Sequence, residues 1–131
     1  MKKEIDKNTL LISKFMGFEL IEVGYFGGDS ETEWQKNNHD WMDENGIDSI
    51  GEYFVNVKKN KWHESYQTRY HKSWSWLMPV VKKIVNLPDA EKESEGWYAK
   101  GSIETFLCMV DIEKVYEYVI KYIEWYNLKN K

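Results

Sequence analysis

The stretch DIEKVYEYVIKYIEWYN, residues 111–127, leaves this chain few choices of fold. At the helical turn angle, Glu113, Lys114, Glu117, Lys121 and Glu124 gather within an arc of about 100°. Ile112, Val115, Tyr116, Tyr118, Val119, Ile120, Tyr122, Ile123, Trp125 and Tyr126 occupy most of the rest. A surface helix usually carries an apolar stripe of about 100° or somewhat more, and this one is apolar over roughly twice that arc. Asp111 is a suitable N-cap. The helix must be covered on two sides. One side can pack on a sheet or another helix. The other, carrying Tyr118, Tyr122 and Trp125, needs more of the same chain or a second subunit.

A partner helix is legible in YHKSWSWLMPVVKKI, residues 70–84. Trp74, Leu77, Met78, Val81, Ile84 and Val85 fall on one helical side, with Ser73 placed to cap. Trp76 falls off that stripe, at the rim of the face. Pro79 removes one backbone hydrogen bond, so a kink or a late start near Ser75 is expected. A third helix is predicted from about Asp6 to Met16, with Leu11, Ile12, Phe15 and Met16 apolar and Gly17 just past its end.

Two segments alternate in the manner of strands, Phe18 to Phe26 and Glu52 to Lys59. Between them, residues 27–51 form an acidic insert with Asn45-Gly46 as a turn signal. Trp34 and Trp41, seven apart, fit one face of a short helix there. Residues 89–96 read as a charged loop, and Trp97-Tyr98 as a short strand after it. The run 102–110 suits a helical turn capped by Ser102, and is also apolar enough for a buried strand. The expected fold class is α+β: one small domain spanning residues 1–131, three main helices on a short antiparallel sheet.

Charge and cysteine content bear on function. The net charge of −4 argues against a dedicated nucleic-acid binder, which needs concentrated Lys and Arg. Charge is unevenly spread, with eight acids against one lysine over 29–52 and seven bases against one acid over 58–83. These segments can be solvated faces, or a polar surface that orients a partner. The single cysteine, Cys108, excludes an internal disulfide and fits a reducing compartment. The N-terminal apolar run is broken by Ser13 and Lys14, which argues against a signal peptide. No stretch approaches the ~20 apolar residues of a membrane span. A cytoplasmic protein is expected.

Chemistry-bearing motifs are scarce. His39, His63 and His71 are not spaced with one another or with Cys108 for metal, and Gly27-Gly28 lacks the lysine of a phosphate loop. No catalytic, cofactor-binding or metal-binding residue is assigned, and no cofactor is implied. Aromatics are plentiful instead: seven Trp, nine Tyr and five Phe, the currency of small cores and interfaces. Trp34, Trp41 and Trp62 fall outside the clear elements. They can pin loops to the core, or stack a ligand.

Three strings carry a resemblance: LLISKFMGF (10–18), YHKSWSWLMPVVKKI (70–84) and DIEKVYEYVIKYIEWYN (111–127). Together, at about 40 of the 131 residues, they resemble a group of small bacterial and phage proteins, itself similar to the phage α-β-α sandwich domain. The resemblance implies helices at these strings and a phage or mobile-element setting, in a bacterial or phage-infected cell. It brings no catalytic residues. The leading expectation is a non-enzymatic interaction module that binds a protein partner, or itself, through Trp76, Tyr118, Tyr122 and Trp125. The alternative is a small-ligand binder or enzyme with a Trp- and acid-lined cleft around Trp34, Trp41 and His39.

Overall fold

A computed structural model describes residues 6–88 and 90–130. The class is α+β, with six α-helices and one small antiparallel sheet among the described residues. The chain divides into two compact units: residues 17–68, and a second unit made of residues 1–16 with 69–131.

The discontinuous unit is helical. It holds α1 (Lys7–Phe15), α4 (Trp74–Asn86), α5 (Glu95–Cys108) and α6 (Ile112–Lys129). The three helices expected from periodicity are present, and they share one core with α5. Ile12 and Phe15 of α1, Leu77, Val80, Val81 and Ile84 of α4, and Val115, Val119 and Ile123 of α6 are buried together. Gly17, just past α1, takes φ +87°, a conformation that favours glycine. Lys83 of α4 donates to the Phe15 carbonyl and lies 4.5 Å over the Phe15 ring, tying α1 down at its last turn. On α4 the buried stripe is displaced toward Val80: Met78 and Val85, expected inside, are 42% and 43% exposed. The helix begins at Trp74 and runs on through Pro79.

Helix α5 corrects the sequence reading. Trp97 and Tyr98 belong to its first turn and not to a strand, and residues 102–108 continue it. Its cap is Ser94, whose hydroxyl accepts from the Trp97 N–H at 3.1 Å, with Glu95 in the first turn. Gly96 and Gly101 weaken the local helical signal, each by about 1 kcal/mol relative to Ala. Packing overrides them: a Cβ on Gly96 would lie 2.3 Å from the Trp125 ring, so glycine lets α5 close onto α6.

The continuous unit holds the sheet, in the order β1 (Glu19–Val23), β2 (Gly51–Asn56), β3 (Lys61–Glu64). β1 and β2 pair antiparallel with Ile21 opposite Tyr53, and β2 pairs with β3 with Val55 opposite Trp62. β3 is a strand that sequence periodicity missed. One face buries Ile21, Val23, Tyr53 and Val55 with Met42 and Ile47. The acidic insert supplies two short helices on this cluster, α2 (Glu33–Asn37) and α3 (His39–Asn45), where one was expected. Trp34, Trp41 and Trp62 thus lie in α2, α3 and β3, and all three pack on the cluster as pins. β1 stops short of the expected Phe26 because the buried Gln35 amide holds both backbone groups of Gly24.

Candidate interaction face on the C-terminal helices

The α5–α6 pair is a helical hairpin closed by residues 109–111. The Asp111 N–H donates to the Phe106 carbonyl and the Val110 N–H to the Leu107 carbonyl, the paired bonds of a Schellman ending. The left-handed position of that motif usually holds Gly or Asn. Here Val110 takes φ +55°, strained for a β-branched residue, and it is 71% exposed. Asp111 then caps α6, its carboxylate accepting from the Lys114 N–H at 3.1 Å.

Buried Gly96, Ala99 and Ile103 turn α5 toward the core, and the small first two let it approach closely. This helix supplies the second cover that α6 needs. Phe106 stacks on Tyr118 at 5.7 Å and 10° between planes. Tyr122 is 2% exposed and lies against Trp125 at 5.6 Å. Burial is the main cause raising the Tyr122 hydroxyl above the ordinary tyrosine range, with Tyr126 adding to it.

The cover is incomplete. An open groove of about 520 Å³ runs between the helices, lined by Tyr98 and Ala99 from α5 and by Tyr118, Trp125 and Leu128 from α6. Tyr98 is 58% and Leu128 68% exposed. Tyr98 also borders a wider concavity of about 810 Å³ on the other flank of α5, beside Trp97, Gly101 and Thr105. Ionised groups edge the groove. Lys121 lies 4.8 Å over the Tyr118 ring and Lys129 5.1 Å over the Trp125 ring, both cation–π distances. Glu95 and Glu124 line the same groove.

Of the four residues expected on a contact surface, Tyr118 and Trp125 line this groove. Tyr122 lies buried in the helical core. Trp76 sits on α4, half-buried and edge-on to Tyr70 at 5.5 Å. Sequence reasoning missed Tyr98 and Leu128. The i, i+3 and i, i+7 spacing of Leu128 from Trp125 and Lys121 was the available signal for one. Nothing local marked the other, because its helix was not foreseen.

The alternative cleft residues lie in the sheet unit. Trp34 and Trp41 meet edge to face at 6.1 Å on the buried cluster. His39 Nε2 is 2.5 Å from Glu31 Oε1, while Glu31 Oε2 accepts from the Gly27 N–H at 2.5 Å. The Gly27 bond, then His39, hold the Glu31 carboxyl below its usual range. His63 lies between the rings of Phe18 and Phe54, at 5.1 and 5.5 Å, and burial lowers its imidazole to about 4. His71 lies in the turn before α4. Among the described residues, no group of three or more His, Cys, Asp or Glu could hold a metal ion, and no helix is long and apolar enough to cross a membrane. No family model matches the chain, and no solved structure matches it.

Proposed function

We propose that this protein is a non-enzymatic interaction module, of the phage-related kind its helical strings resemble, with the α5–α6 face as its contact surface. The observation that carries this reading is the aromatic groove between α5 and α6, with Tyr98 and Leu128 held open to solvent. Exposed aromatic and aliphatic side chains beside a preformed depression, edged by charge, are the usual makings of a protein contact. The large rings bring contact area at little cost in side-chain freedom.

Photo-crosslinking tests it. A benzoylphenylalanine is placed at position 98, and a control at Tyr66, which is 70% exposed in the sheet unit. In its native cell the chain carrying the probe at 98 is expected to yield a discrete protein adduct absent from the control. No adduct at 98, or the same adducts at both positions, overturns the reading.

A further inference from the structure

Five exposed residues run along α6 at alternating spacings of three and four: Lys114, Glu117, Lys121, Glu124 and Leu128. That spacing keeps them in one line on the helix surface. Turned end for end about an axis on the exposed face at the level of Val119, the line is its own complement. Lys114 meets Glu124 of a second copy, Glu117 meets Lys121, and two-fold symmetry makes each pair twice. Leu128 reaches the hairpin turn of the second copy, where Met109 and Val110 are 64% and 71% exposed. A parallel alignment in register sets lysine on lysine and glutamate on glutamate. The pattern therefore selects a direction as well as a partner.

Within one chain these charges are only partly matched. Glu117 serves both Lys114 at 3.4 Å and Lys121 at 3.8 Å, with all three side chains about half exposed. Glu124 has no ion pair among the described residues. Exposed pairs of this kind contribute little to a monomer, so redirecting them to another chain sacrifices little. The antiparallel arrangement gives Glu124 a partner and covers three of the most exposed apolar side chains.

We propose that the partner of the α5–α6 face is a second copy of this chain, docked antiparallel along α6; this rests on reading that face as a contact surface. Sedimentation equilibrium of the full chain tests it. The wild type is expected to dimerise at about 100 µM or below, and more weakly as salt screens the pairs. Lys121→Glu replaces two attractive pairs with two repulsive ones and should weaken the dimer roughly tenfold or more. Combining it with Glu117→Lys restores opposite charges across the axis and should recover most of that loss. Both positions are exposed, and circular dichroism checks that the variants stay folded. A wild type that remains monomeric, or a double variant no better than Lys121→Glu, overturns the proposal. The crosslink at position 98 separates the two readings. An adduct with a different protein alone leaves the contact surface standing and removes the second copy; no adduct removes the surface itself.

Discussion

Single residues carry much of the consequence of this packing. Val110 stands in left-handed backbone where valine is strained by roughly 1–2 kcal/mol. Val110→Gly should raise the urea unfolding free energy by up to about 1 kcal/mol, the gain reduced by glycine's freedom in the unfolded chain. The same change should weaken self-association, since it removes an apolar contact at the hairpin turn. Gly96→Ala has the opposite stability sign. Its added methyl meets the Trp125 ring, and overpacking of about 1–3 kcal/mol should outweigh the better helix propensity. His63 gives a pH dependence. Its imidazole titrates at about 4 when folded against an ordinary 6.5, so the unfolded chain binds more protons between those values. Stability should therefore fall as pH drops from 6.5 toward 4, with no contribution from His63 above that window. Glu31 acts lower: its carboxyl is stabilised when ionised, so its contribution is present above about 4.5 and lost as pH falls through its lowered value. In urea titrations at several pH values, His63→Phe should flatten the upper part of that dependence.

At the scale of elements, what was legible depended on how far each segment carries its own signal. Helix α6 was plain because ring after ring repeats at helical spacing. α1 and α4 were visible for the same reason. β1 and β2 showed through alternation, but alternation did not force their pairing or its register, which sets Ile21 opposite Tyr53 and Val23 opposite Gly51. β3 is four residues with one aromatic, too short to show a period. Helix α5 was obscured by two internal glycines; contact with α6 explains Gly96, while a Cβ on Gly101 would meet open space. That failure hid half of the groove, since Tyr98 belongs to α5. It also made Tyr122 look available, when α5 and its neighbours leave it 2% exposed. The dependence of α5 on α6 makes a further prediction. Ile103→Ala, at a fully buried site on α5, should destabilise the helical unit by about 2–5 kcal/mol. Hydrogen exchange should then accelerate along α5, beyond the substituted turn.

For the molecule as a whole, the governing fact is that one unit is inserted into the other. The helical unit is interrupted after Met16 and resumes at Arg69. The two junctions lie near each other within that unit, where Ile12 and Phe15 share one buried core with the ring of Tyr70. Burial raises the Tyr70 hydroxyl above the ordinary tyrosine range. Replacing residues 17–68 by a short Gly/Ser linker should leave a cooperatively unfolding helical unit, measured by circular dichroism on heating. A chain that melts without a transition would mean that the inserted unit is required for the helices to assemble. The interruption also orders events on the ribosome. Helix α1 emerges well before α4 and α6, its partners in the core, while residues 17–68 are complete as soon as they are made. The first helix must wait through the translation of an entire neighbour. During that interval Ile12 and Phe15 are open to solvent and to chaperones, and the yield of native chain should depend on how quickly the ribosome reaches residue 123.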